Sequence, residues 1–185
     1  MSTISNNQLT FLKTLMEEQN IPPASITTVI QTMATELQRT DTDLPIGMNT
    51  LIINDKNELL LSKRGKNAFM GGTWGLVGGH LQNTETFEEG IARECWEELN
   101  IKVNTSDVSI RNLGDCMGER RYLQIGAIVK KWEGEMKIME PHKCEEIRFF
   151  PLDALPENLF FGTKVNIDLF LKGTFYDKEC NYCER

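Results

Sequence analysis

A chain of 185 residues, 40% hydrophobic and 25% charged, has the size and composition of one globular domain with an added segment. At that length about 70% of the unfolded surface can be buried, enough for a sizeable core. The net charge of −7 and an isoelectric point near 5.0 disfavour a nucleic-acid polymer or an anionic membrane surface as partner.

The first residues, Met1-Ser-Thr-Ile-Ser-Asn-Asn7, lack the charged-then-apolar pattern of a secretory signal. No apolar run reaches the roughly 18 residues of a membrane span. The cysteines, Cys95, Cys116, Cys144, Cys180 and Cys183, are odd in number and unevenly spaced, which fits a reduced, cytoplasmic chain better than a disulfide framework. Cys180 and Cys183 have the spacing of half a zinc site. No second such pair accompanies them, and the only histidines are His80 and His142, so they read as tail thiols.

In chain order, Leu9, Leu12, Leu15 and Met16 give helical spacing over residues 7–19, and Pro22-Pro23 ends it. Ile26, Val29, Ile30, Met33 and Leu37 predict a second amphipathic helix over 24–38. Residues 40–45 read as a linker, so residues 1–44 form a helical extension and residues 45–185 the main domain. The extension can cap the domain, build a homodimer interface or shape a pocket. Strands are expected at 46–53 and 58–63, with a turn at Asn54–Asn57. Glycines 71, 72, 75, 78 and 79 predict a loop, followed by a helix over 85–99 with Thr84 near its start. Further strands are expected at 107–116, 121–132 and 145–150, a short turn at Pro151–Leu155, and a closing helix at 161–172. Strands interleaved with helices in this order predict an α/β fold, a mixed sheet in an α/β/α sandwich.

The helix over 85–99 carries the chemistry. Phe87, Ile91, Cys95 and Leu99 form its apolar stripe. Glu98 falls between Ile91 and Cys95 on the helical wheel, inside that stripe; Glu94 lies on its edge and Glu97 further round. Residues three and four apart are neighbours on a helix, so Glu94 faces both Glu97 and Glu98 and the like charges repel. A solvated acidic face explains Glu88 and Glu89. It does not explain Glu98, because a carboxylate on an apolar face costs several kcal/mol unless something compensates it. Clustered hard oxygen donors suit a divalent cation, and Mg²⁺ is the usual one where phosphate is bound. Arg93 is spaced for an i, i+4 ion pair with Glu89 or Glu97, or for orienting a ligand carboxylate.

Gly79, Glu85, Arg93, Glu94, Glu97, Glu98 and Ile101 stand in the register of the Nudix box, Gly-x5-Glu-x7-Arg-Glu-U-x-Glu-Glu-x-Gly-U, where U is apolar. This segment closely resembles it. Cys95 occupies the first U position as a small hydrophobe, Asn100 replaces the final glycine, and Val77 stands where proline often precedes the glycine pair. Asn is the next-best residue to Gly for a left-handed helix end. Trp74–His80, Lys63-Arg64-Gly65 and Glu140–Glu146 are similar to the MutT-like nucleoside triphosphate pyrophosphohydrolases, and the resemblance covers about residues 46–172.

The resemblance implies a Mg²⁺-dependent hydrolase, with Mn²⁺ as a substitute, that cleaves a nucleoside triphosphate to monophosphate and pyrophosphate. Glu94, Glu98 and Glu97 are the implied cation ligands, joined by the carbonyl of Gly78. Glu97, Glu98, Glu94 and Arg93 are the implied catalytic set, while Glu85 supports the loop and the helix start. Lys63, Arg64, Gly79 and Tyr122 are the implied substrate contacts, with Lys66 adding local positive charge. Glu119, Glu140 and Glu145 are candidate bases outside the box. Phe69, Trp74, Tyr122 and Phe160 are candidate base-stacking residues, each with core packing as the plainer role. Two other readings remain: a nucleoside diphosphate-sugar pyrophosphatase of the ADP-ribose type, and a non-catalytic nucleotide-binding module.

Overall fold

The computed structural model describes residues 44–116 and 121–180. The two helices expected over 7–19 and 24–38, most of the expected linker, Glu119 and Cys183 lie outside the described residues. Strands β1 (Ile46–Ile52) and β2 (Glu58–Arg64) are joined by a tight turn. The Asn54 side-chain oxygen there accepts from the amides of Lys56 and Glu58, both at 3.0 Å, and Asn57 adopts a left-handed φ of 60°. Asn tolerates both roles, which is why the chain can reverse here.

The glycine segment expected as a loop contains two short strands, β3 (Trp74–Gly75) and β4 (Val77–His80). Helix α1 (Phe87–Leu99) follows, then β5 (Val108–Cys116), β6 (Tyr122–Val129), β7 (Cys144–Pro151), helix α2 (Phe161–Lys172) and β8 (Tyr176–Cys180). The last strand is a correction to the sequence reading, which left the tail without structure. Its polar, acidic composition lacks strand alternation, and it pairs only along the edge of β5, in parallel.

The strands form two sheets. A five-stranded mixed sheet runs β4-β1-β6-β5-β8, and a three-stranded antiparallel sheet runs β3-β2-β7. Alternation along β1 and β6 sends side chains to opposite faces. Met48, on one face of β1, lies against Gly90 of α1. On the other face, Leu51 and Ile128 join Leu59, Leu61, Trp74, Leu76 and Ile167 of α2 in one apolar cluster. The helices therefore cover opposite faces of the mixed sheet, and the smaller sheet shares the α2 side. Among the described residues, no helix is long and apolar enough to cross a membrane.

Helix α1 begins two residues later than the spacing predicts. Thr86, not Thr84, is its N-cap and forms a capping box: Thr86 Oγ1 accepts from the Glu89 amide at 3.2 Å, and the Glu89 carboxylate accepts from the Thr86 amide at 2.8 Å. Asn100 ends the helix with φ 59°, ψ 26°, the left-handed conformation expected of the residue that replaces glycine.

Candidate active site

Helix α1 packs against β4, and the glycines of that strand set how close the two can come. A Cβ on Gly79 would lie 2.2 Å from Glu94 Oε1, and one on Gly78 would lie 1.9 Å from the Met48 carbonyl oxygen. Gly78 thus lets β4 sit on β1, and Gly79 leaves the space that the Glu94 carboxylate occupies. Gly79, also expected as a substrate contact, lies against the Glu94 carboxylate.

Arg93 gathers the acids. Its Nε and Nη2 donate to the two oxygens of Glu85 at 2.9 and 2.8 Å, a bidentate fork. Its Nη1 donates to Glu94 Oε1 at 2.7 Å and to Glu97 Oε2 at 3.0 Å, and Nη2 also reaches the His80 carbonyl at 3.2 Å. Glu85 completes the link by accepting from the Gln82 amide at 2.9 Å. Glu85 therefore ties loop to helix, as expected, and the Arg93 hydrogen bond holds its carboxyl below the ordinary value. Glu89, the other expected ion-pair partner of Arg93, is engaged in the capping box instead.

The helical wheel ordered the acids imperfectly. Glu94 is the most enclosed, 8% exposed, while Glu98 is half-buried and Glu97 is exposed. The difference arises because the glycine strand covers the helix edge on which Glu94 stands. Glu98 carries the larger electrostatic strain: its carboxyl is pushed up to about 8, first by burial, then by Glu94 and Glu140. The neighbouring Cys95 thiol is fully buried and raised to about 12, first by burial and then by Glu98, which makes it an inert packing group.

Residues of the 140s reach Glu98 because the chain before β7 runs along the end of α1. The Met139 amide donates to the Glu98 carbonyl at 3.0 Å, and the Lys143 ammonium donates to Glu140 Oε1 at 2.8 Å. The Gly65 amide donates to the Lys143 carbonyl at 2.6 Å, which brings the end of β2 to the same turn. Glu145 is committed there, accepting from the Lys66 amide at 3.0 Å. Lys63 pairs in register with Trp74 and Glu146. Arg64 is partly engaged: its Nε donates to the Phe69 carbonyl at 2.8 Å and its guanidinium lies 4.6 Å over the Phe160 ring.

On the mixed sheet, Tyr122 lies over Gly47 and meets His80 edge to face, ring centres 5.9 Å apart. On the other side, Phe69 is 70% exposed and sits edge-on to Phe160 and Phe161, so core packing is not its role. Trp74 is core, against Phe150.

Among the described residues, no three His, Cys, Asp or Glu side chains close into a ready metal cage. The donor set still fits a hard divalent cation that keeps several waters. Glu94 and Glu98 lie within each other's field, and burial first, then Glu94, pushes the Glu98 carboxyl up, a cost that a cation would offset.

The NUDIX domain family model matches residues 43–170. The chain is 34% identical over 116 residues to an ADP-ribose pyrophosphatase from Methanocaldococcus jannaschii, covering 62% of this chain and 66% of that protein. It is 30% identical over 86 residues to an 8-oxo-dGTP diphosphatase from Proteus vulgaris, covering 46% and 76%. The matched segments span from 35% to 76% of the length of such curated relatives. A MutT NUDIX hydrolase from Burkholderia pseudomallei superposes with a TM-score of 0.61 at 28% identity, covering 69% of this chain and 98% of that one. With the box residues gathered by Arg93 and the family pattern running through both sheets, this chain belongs to the Nudix family.

Proposed function

We propose that the chain is a Mg²⁺-dependent hydrolase of nucleoside triphosphates that releases the monophosphate and pyrophosphate. One observation carries this reading: Glu98 keeps a carboxyl beside Glu94 on the inner side of α1, where burial and like charge both oppose ionisation. Such an arrangement is sensible where a cation and a polyphosphate complete it. When bound, Mg²⁺ or Mn²⁺ would neutralise phosphate charge and acidify a water nucleophile.

The chain's own groups have distinct parts in this reading. Glu94 and Glu98 offer oxygen donors, and the family resemblance adds the Gly78 carbonyl as a further one. Arg93 fixes the orientation of Glu94 through its Nη1 and of the helix start through Glu85. Glu97, exposed and held by Arg93 on one oxygen, is placed to take a proton from water or to add a further donor. Lys63 contacts a terminal phosphate more readily than Arg64, whose Nε is already bonded. Tyr122, on the mixed sheet beside His80, is the candidate contact for the nucleoside.

The ADP-ribose pyrophosphatase likeness covers more of this chain than the 8-oxo-dGTP diphosphatase likeness and favours a second reading, cleavage of a nucleoside diphosphate-sugar. A panel of nucleoside triphosphates and diphosphate-sugars, assayed with Mg²⁺ and resolved by product, separates them. Monophosphate with pyrophosphate is the expected result. Two monophosphates, one bearing a sugar, would support the second reading. Tight nucleotide binding without turnover under any divalent ion would overturn both.

A further inference from the structure

We propose that Thr163, in the first turn of α2, is a positioning residue for the acidic site, acting through the amide of Leu76. The chain passes from the small sheet to the mixed sheet at Leu76, which belongs to neither ladder. Just before this crossing it runs parallel to the segment leading into α2. The Trp74 amide donates to the Asn158 carbonyl at 3.0 Å, and the Phe160 amide donates to the Trp74 carbonyl at 2.7 Å.

In a parallel ladder the next donor is the amide two residues on, Leu76, and its acceptor would be the carbonyl of Phe160. That carbonyl is taken: it accepts from the Lys164 amide at 3.1 Å as the first bond of α2. The side-chain hydroxyl of Thr163 fills the missing rung, Oγ1 accepting from the Leu76 amide at 2.9 Å. Thr163 is 1% exposed and Leu76 is 9% exposed, so water is poorly placed to replace it.

Two and three residues beyond Leu76 stand Gly78 and Gly79, with clearances against the Met48 carbonyl and the Glu94 carboxylate too small for any added carbon. A shift of β4 therefore moves the surface on which Glu94 rests. The hydroxyl of Thr163 fixes where β4 begins, and through it the separation of the glycine pair from the carboxylates of α1. Thr163 touches no reacting atom in this scheme.

The inference rests on the proposed cation site, so its test reads backbone exchange and cation binding as well as turnover. In the wild-type chain the Leu76 amide is slow to exchange with solvent. In Thr163→Val, which keeps shape and removes the acceptor, exchange at Leu76 accelerates roughly 5- to 100-fold, the range for losing one buried hydrogen bond. The Mg²⁺ half-saturation, by calorimetric titration and in the assay, rises about tenfold, while the substrate KM at saturating Mg²⁺ changes little. Thr163→Ser restores both slow exchange and wild-type half-saturation.

Unchanged half-saturation in Thr163→Val despite faster exchange at Leu76 would overturn the proposal. So would Thr163→Ser behaving like Thr163→Val. If Thr163→Val does not fold, a wild-type Leu76 amide that exchanges as fast as exposed loop amides overturns it equally. A wild-type chain that binds Mg²⁺ but turns over no nucleotide refutes the hydrolase reading and leaves this test intact.

Discussion

Ionisation of Glu98 is opposed by burial first, then by Glu94 and Glu140. Its carboxyl rises from an ordinary 4.5 to about 8, so the stability contributed by the neutral form is complete below about pH 4.5 and is lost as pH rises through about 8. A bound cation reverses the preference, since it needs the ionised oxygen. Mg²⁺ binding should therefore release close to one proton at pH 7 and very little at pH 9.5, and affinity should rise across that interval. Calorimetry in buffers of different ionisation enthalpy measures this; affinity and proton release that are flat from pH 6 to 9 would contradict it. The same residue gives a second expectation. Glu98→Gln removes a carboxyl whose ionisation in the unfolded chain draws stability from the fold between about pH 4.5 and 8, so the melting temperature at pH 7 without Mg²⁺ should rise while turnover is lost. Near wild-type turnover in the folded variant would remove Glu98 from the machinery.

At the scale of elements, α1 is defined by its ends and by one close approach. Thr86→Ala removes half of the capping box and should cost about 1 kcal/mol in urea unfolding. Asn100→Ala forces a Cβ-bearing residue without a local hydrogen-bonding side chain into the left-handed region, at a cost of about 1 kcal/mol, whereas Asn100→Gly should be neutral or stabilising. Equal effects of Ala and Gly at position 100 would contradict that reading. The helix, its apolar face and its acids were legible in the sequence because a 3.6-residue period exposes an acid that falls on the wrong side. What was not legible was β4. Val77-Gly-Gly-His80 has no alternation and reads as loop, because its strand character comes from β1 beside it. That missed strand is why the wheel placed Glu98 deeper than Glu94. The Thr163 hydroxyl was equally hidden, since a mid-chain threonine has no sequence signal for an amide 87 positions away.

At the scale of the whole domain, two sheets share one apolar cluster, with Tyr122 and His80 on the mixed sheet and Arg64 at the end of the smaller one. Leu51 is fully buried where both sheets meet α2, so Leu51→Ala should cost roughly 2–5 kcal/mol in urea unfolding. A loss under about 1 kcal/mol would mean that the cluster does not hold the sheets together. The positions of the longer strands were readable from apolar runs, but their order and the division into two sheets were not, because pairing partners are chosen by tertiary packing and leave no local mark. The most direct measurement of the central claim is a crystal structure of the chain with Mg²⁺ and a non-hydrolysable nucleoside triphosphate. The expected result is an ion held by Glu94 and Glu98 beside the Gly78 carbonyl, with the phosphate chain on its far side. The ion bound elsewhere, with both carboxyls turned to bulk water, would contradict it.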